Sequence, residues 1–297
     1  MKLSAEFLIR AASVSVRSAQ QGLLPHGRGS VIAGRVLRFL GRVQGLRGKV
    51  IGVPLYFCLS LIAIFAAPAI QDEIPAHDEL PRDESKFTFA RFSYPVNIAW
   101  LARPLGDYGP PWSHDWPDSE EHFMKILSEV SKLDVNPGGH IISFESDECF
   151  KYPIAYFCEM GYLNLTDREV QNMREYLLRG GFLIVDDFRQ ERALMNFRYQ
   201  MRRVFPDRVL EEVPRTDPIW TCFYDLSKLY IEPPYAKFLV PQYFGIRDDK
   251  GRLMMIVNYN NDISDYWQWS NEPFFGLDQT NEAYKYGVNF VMYALSH

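Results

Sequence analysis

The stretch that most constrains this chain is Gly180-Gly181-Phe182-Leu183-Ile184-Val185-Asp186-Asp187-Phe188. The glycine pair closes a helical pattern, and the apolar run after it leads straight into two carboxylates. An unbroken apolar run of this length, partly β-branched, fits a strand covered on both faces, as in a parallel sheet. Such a strand ends at the crevice where open α/β sheets bind their ligands.

The flanking pattern supports that reading. Phe87-Thr88-Phe89-Ala90-Arg91-Phe92-Ser93-Tyr94 reads as a first strand. Asp118, with Glu121 three residues on, predicts a capped helix with Phe123, Ile126, Leu127 and Val130 as its apolar stripe, ending before Asn136-Pro137-Gly138-Gly139. Ile141 to Phe144 and Ile154 to Cys158 read as further strands, and Thr166-Asp167-Arg168-Glu169 as a capping box opening a helix that Gly180-Gly181 stops. Another helix runs from Ala193 to Phe205 before Pro206. Tyr243 to Ile246 and Leu253 to Val257, joined across Asp249-Lys250-Gly251, predict a β-hairpin, and Ala283 to Leu295 a closing helix. Alternation of strand and helix at this spacing predicts an α/β fold: a parallel sheet with helices on both faces, plus a C-terminal β-hairpin and closing helix.

Charge divides the chain. Up to Lys49 there are nine Lys and Arg against Glu6 alone, a charge of +8, which leaves −13 on the remainder of a chain whose net charge is −5. An acidic body argues against nucleic acid as a partner. Between the two lies an uncharged run, residues 50–69, long enough as a helix to rise about 30 Å, one hydrocarbon core. With its basic flank upstream and Ala67-Pro68-Ala69 at its end, it reads as a transmembrane helix or a signal-peptide core. Residues 1–49 are then a basic, unstructured segment, 70–85 an acidic linker, and 86–297 a single α/β domain outside the cytoplasm, in the cell envelope or periplasm. At 47% hydrophobic and 15% aromatic, the chain can bury a core of that size. Cys149 and Cys158 are compatible with a disulfide in an oxidising compartment or with buried thiols.

Phe89-Ala90-Arg91-Phe92, Trp116-Pro117-Asp118, Asp134-Val135-Asn136-Pro137, the Gly180 to Asp187 run, Arg203-Val204-Phe205-Pro206-Asp207-Arg208 and Tyr293-Ala294-Leu295 together resemble a bacterial envelope family defined by a domain of unknown function. That family is grouped with the class I glutamine amidotransferase-like folds, and the resemblance covers about residues 86–297. It implies a three-layer, flavodoxin-like sandwich and no known activity. In that superfamily the nucleophilic Cys follows the strand held here by Phe182 to Val185, where this chain has Asp186 and Asp187. Cys158 lies one strand earlier, and the only His after it is His297. Glutamine amidotransferase activity is therefore not expected.

Asp186, Asp187 and Glu159, at neighbouring strand ends, are the candidate catalytic residues, because paired carboxylates divide into acid and base roles. Adjacent strand residues face opposite ways, so only one of the two aspartates should enter a given cleft unless the chain turns. Trp112, Asp115, Trp116, Asp262, Tyr266 and Trp267 are the candidate ligand-binding residues, in two aromatic loops whose rings and short polar neighbours suit glycan or peptide. His114, Asp118 and His122 recur every four residues, but Pro117 interrupts the row, so no metal site is expected, and no cofactor is implied. These features point first to a domain that binds a glycan, peptide or envelope protein at the sheet's carboxyl edge. The alternatives are a carboxylate- or metal-dependent hydrolase there and a scaffold of an envelope complex.

Overall fold

The computed structural model describes residues 82–96 and 109–297. Residues 1–49, the apolar run 50–69 and most of the 70–85 linker lie outside the described residues. Among those described, no helix is long and apolar enough to cross a membrane. The last linker residues are tied to the domain: the Asp83 amide donates to Asn136 Oδ1 at 2.9 Å, and Asn136 Nδ2 returns a bond to the Asp83 carbonyl.

The strands are β1 (Phe87–Ser93), β2 (Val135–Ser143), β3 (Ile154–Cys158), β4 (Phe182–Phe188), β5 (Glu211–Glu212), β6 (Gln242–Gly245) and β7 (Met255–Tyr259). They form one sheet in the order β2-β1-β3-β4-β7-β6-β5. From β2 to β7 every pairing is parallel, whereas β6 and β5 add antiparallel. The parallel part thus has the 2-1-3-4-5 order of flavodoxin-like folds, whose chain reverses direction between β1 and β3 and whose ligands sit outside the carboxyl ends near that point.

Helices cover both faces. On one side, α2 (Asp167–Leu178) and α3 (Glu191–Val204) bury Met173, Tyr176, Leu177, Leu194, Phe197 and Met201 against Phe92, Phe157, Val185 and Val257 of the sheet. On the other, α1 (Asp118–Ser131), α4 (Ile263–Gln268) and α5 (Leu277–Ser296) pack on Phe89, Tyr156, Ile184 and Ile256. All seven residues of β4 are buried, the expected state of a central strand sandwiched between helix layers. Thr166 and Glu169 form the reciprocal capping box at the start of α2. Gly180, at φ +111°, takes the left-handed turn that frees the chain to enter β4.

Two local expectations are corrected. The residue before α1 is Pro117 with no side-chain cap, and Asp118 is the first helical residue. Its neighbour Glu120 is buried instead, because it answers a buried cation described below. The helix does end before Asn136, at Ser131, but Asn136 to Gly139 belong to β2, which begins at Val135 rather than Ile141, and the register against β1 slips between Phe87/Val135 and Phe89/Gly139. Pro and Gly are tolerated there because β2 is the edge strand and the slip absorbs them. Gly139 is also a packing requirement, since a Cβ at that position would lie 2.6 Å from the Trp116 ring and 2.8 Å from Glu120 Cγ. Cys149, Cys158 and Cys222 are free thiols.

Arg91 is the one fully buried guanidinium among the described residues. Its Nε donates to Glu120 Oε1 at 2.5 Å, one terminal nitrogen to the carbonyls of Trp112 and His114 at 3.2 and 2.9 Å, and the other to Ser119 Oγ at 3.2 Å. The Tyr156 ring lies 4.6 Å beneath it. Removing one partner of such a pair strands the other as an uncompensated buried charge, at a cost of about 3–5 kcal/mol. Arg91→Met is therefore expected to lose about that much in a urea unfolding experiment, and Arg91→Met with Glu120→Leu to recover most of it.

Candidate functional site: an acidic rim at the carboxyl edge

Four neighbouring segments meet at the carboxyl edge of the parallel strands. The loop after β1 contributes His114 and Asp115, the end of β3 contributes Cys158 and Glu159, the end of β4 contributes Asp186 and Asp187, and the segment from β7 into α4 contributes Asp262 and Asp265. The aspartates are almost wholly buried: Asp186 is 0% exposed, Asp187, Asp262 and Asp265 are 1%, and Asp115 is 5%. Carboxylates are rarely buried without partners, so each must be accounted for.

One oxygen of Asp186 has a structural role. Its Oδ2 accepts from the Tyr156 hydroxyl at 3.0 Å and from the amides of Ile263 and Ser264 at 2.9 and 3.1 Å, which fixes the start of α4. Regular alternation would send Asp187 to the opposite face. Asp187 instead has φ +47°, and the β4–β7 register shifts between Val185 and Phe188. The turn brings the Asp187 carboxylate onto the rim, 3.1 Å from His114 Nδ1 and 3.5 Å from Cys158 Sγ. Both aspartates therefore reach the same edge. Glu159 also sits on a left-handed turn, at φ +53°, braced by the hydrogen bond its N–H donates to the Asp187 carbonyl and by the Tyr94 hydroxyl, which is 2.7 Å from the Cys158 and Glu159 carbonyls. Non-glycine residues held in this conformation store strain and gather at functional sites.

His114 Nδ1 lies 3.0 Å from Asp115 Oδ1 as well as close to Asp187. Burial opposes its charge, but hydrogen bonds to those two carboxylates prevail and push its pKa up to about 11. Burial and the neighbouring Asp187 push Glu159, Asp186 and Asp262 up, and burial does the same to Asp265. Asp187 goes the other way: burial raises it, but His114 outweighs that and holds it below the usual carboxylate range. Cys158, fully buried beside Asp187, is pushed well above an ordinary thiol.

The rim unites Asp186, Asp187, Glu159, Asp115 and Asp262, but the aromatic candidates do not join it as open rings. Trp112, Tyr266 and Trp267 are 2%, 3% and 1% exposed. Trp267 stacks on Phe123 with centroids 4.3 Å apart, and Trp112 belongs to the core cluster on the α2 and α3 side of the sheet. Trp116 is half-buried against Gly139. These rings are packing, because a Trp or Tyr flanked by short polar residues still buries more apolar area than any neighbour. The regular His114, Asp118, His122 row is also dissolved: His122 Nδ1 faces the Trp267 carbonyl at 2.9 Å, while His114 turns to Asp115 and Asp187. Sequence reasoning left Asp265, Ser264 and Arg91 out of the site and set His114 aside with the interrupted row. The one available signal was Arg91, a lone charge inside an apolar strand.

A family model described as a domain of unknown function, DUF4159, matches residues 97–295. The chain belongs to this family. No curated protein matches it. The matched range contains every acidic member of the rim, whereas β1 and Arg91 precede it.

The pH dependence of stability has a definite sign. Groups whose folded pKa exceeds the unfolded value bind more protons in the folded state, so stability falls as pH rises between the two values. Glu159, Asp186, Asp262 and Asp265 act so upward from the ordinary carboxylate range, and His114 from its ordinary value of 6.5 to about 11. Asp187 contributes stability that is lost only on acidification below that range. A tenfold difference in proton affinity between the folded and unfolded chain corresponds to about 1.4 kcal/mol, and in a domain of this size 1 kcal/mol moves Tm by about 2–4 °C. In chelator-treated protein, Tm is expected to fall by at least about 5 °C from pH 5 to pH 8.5 in calorimetry, and Asp262→Asn to flatten that slope.

Proposed function

We propose that this domain is a carboxylate-dependent hydrolase acting at the carboxyl edge of its sheet, in the cell envelope. The observation that carries the reading is the convergence of Asp187 and Glu159, each on a left-handed turn, with His114 at one rim. Strained turns at strand ends are how α/β hydrolases present a reactive side chain. Two carboxyl groups in different surroundings can split the work of hydrolysis. Asp187, paired with His114, is suited to accept the proton of an attacking water. Glu159, crowded by Asp187 and less buried, is suited to return a proton to the leaving group. The apolar run 50–69 would place this rim outside the cytoplasm, and the strand order supports kinship with the class I amidotransferase-like folds without their chemistry.

Cys158 does not supply that chemistry, although His114 stands near it. Its thiol is fully buried and donates to Asp187, and the imidazole that would have to deprotonate it is already engaged by two carboxylates. A thiol so placed stays protonated.

A panel of ester, amide, phosphoester and glycoside substrates tests the proposal. Activity on at least one is expected, with Asp187→Asn and Glu159→Gln each lowering kcat/KM by about 100-fold or more while the circular dichroism is unchanged. An inert protein, or full activity in both variants, would remove the hydrolytic reading.

One observation favours binding without catalysis. Tyr235, Phe275, Phe274 and Trp269 form a chain of ring contacts at 6.3, 4.9 and 5.5 Å, and all but Phe275 are exposed. Tyr235 also donates to Asp265 Oδ1 at 3.0 Å, which places this apolar strip beside the rim. An apolar part of a ligand, or an envelope partner, fits there.

A further inference from the structure

His114, Asp115, Asp262 and Asp265 each offer one ligand atom, and these atoms all lie within 4.8 Å of one another. Acidic residues often cluster without holding anything, so the decisive feature is how their oxygens are used. One oxygen of each carboxylate is anchored. Asp115 Oδ2 accepts from Ser264 Oγ at 2.6 Å, Asp262 Oδ1 from the Asp265 amide at 3.1 Å, and Asp265 Oδ1 from the Tyr235 hydroxyl. The other oxygens of Asp262 and Asp265 are buried and meet no N–H or hydroxyl donor among the described residues, only neighbouring carboxyl groups, and Asp115 Oδ1 has His114 beside it. Outer hydrogen bonds that fix a carboxylate and leave its second oxygen bare are the usual support of a metal ligand. Two such oxygens, on side chains 1% exposed, need either a shared proton or a cation.

We propose that His114, Asp115, Asp262 and Asp265 form a binding site for a hard divalent cation of the Mn2+ or Mg2+ class. The inference builds on the hydrolytic reading of this rim, to which the ion would add a Lewis acid. Three carboxylates favour an oxygen-seeking ion, and the single imidazole suits Mn2+ better than Ca2+. The set has no thiolate: Cys158 belongs to the neighbouring group with Asp187, and its buried thiol is protonated. Entry is through His114, whose side chain is 41% exposed while that of Asp115 is 1%.

The test is titration of Mn2+ into the full-length, chelator-stripped protein, read by calorimetry and by loss of the free Mn2+ spin-resonance signal. One ion per chain is expected, with Kd of about 1–100 μM, and a higher Tm with Mn2+ present. Asp262→Asn and Asp265→Asn should each weaken binding at least tenfold, while Asp249→Asn, an exposed acid whose side chain is 88% accessible, leaves it unchanged. Circular dichroism of both variants separates lost ligands from lost fold. No binding of Mn2+ or Mg2+ at about 1 mM, or the same affinity in both folded variants, overturns the site. Ion binding with no turnover on the substrate panel would remove the hydrolytic reading and keep the site, and hydrolysis that persists in chelator with no ion bound would do the reverse.

Discussion

The architecture of the rim depends on a cation that never reaches solvent. Arg91 lies in the middle of β1, where its neighbours Phe89, Ala90 and Phe92 are core residues, and its guanidinium is matched by Glu120 from the first turn of α1. The pair would contribute little if its only role were to attract, because desolvating two charges cancels most of their mutual attraction. What the guanidinium adds is direction. Its remaining donors hold the carbonyls of Trp112 and His114, so the loop after β1 is fastened from beneath at the point where His114 and Asp115 turn toward the sheet edge. The hydrophobic layers could form with many loop conformations here, but the guanidinium accepts only the one that presents carbonyls to it.

A second constraint comes from the other side of the cleft. Asp186 commits one carboxylate oxygen to the hydroxyl of Tyr156 and the amides at the start of α4, and Asp262 caps the same helix through the Asp265 amide. Helix α4 has only six residues and would not persist alone. It is held by these two carboxylates and by Trp267 stacked on Phe123. The consequence is that Ser264 and Asp265 are delivered to the rim by residues that sequence reading assigns to catalysis or ligand contact. Asp186 is thus a builder of the site, while Asp187 faces His114 across it, although the two are adjacent and chemically identical.

Much of the fold was legible before any coordinates. The Thr166 to Glu169 box, the glycine stop at Gly180 and the apolar run into Asp186 are local signals with local causes, and the hairpin of β6 and β7 follows from alternation and a turn of Asp, Lys and Gly. The failures share a cause as well. Asn136 to Gly139 look like a terminator because Pro and Gly usually are, yet an edge strand with a slipped register accommodates them. Residues 258–269 look like an open aromatic loop because a six-residue helix has too few turns to show a period, so rings that belong to the core read as exposed. For the site, strand ends made Glu159, Asp186 and Asp187 visible. His114 was weighed only against Asp118 and His122, because its distant partner Asp187 lies where no spacing rule connects the two.

The sharpest contrast is between the two sets of groups that share His114 and Asp115. On one side stand Cys158 and Asp187, an arrangement that on paper has the members of a nucleophilic dyad. Burial decides against it, because a thiol with no solvent and a carboxylate at 3.5 Å gains nothing from ionising, and an imidazolium clamped by two carboxylates has no site to receive a proton. On the other side stand Asp262 and Asp265, each with one oxygen tied down and one bare. Like charges packed so closely must either hold protons or share a cation. A serine, a tyrosine and a helix-terminal amide fix the tied oxygen of each carboxylate and so hold the side chain in place. Proton sharing needs no such rigidity, since a mobile carboxyl group can take a proton in any rotamer, whereas coordination demands fixed donors at fixed separation.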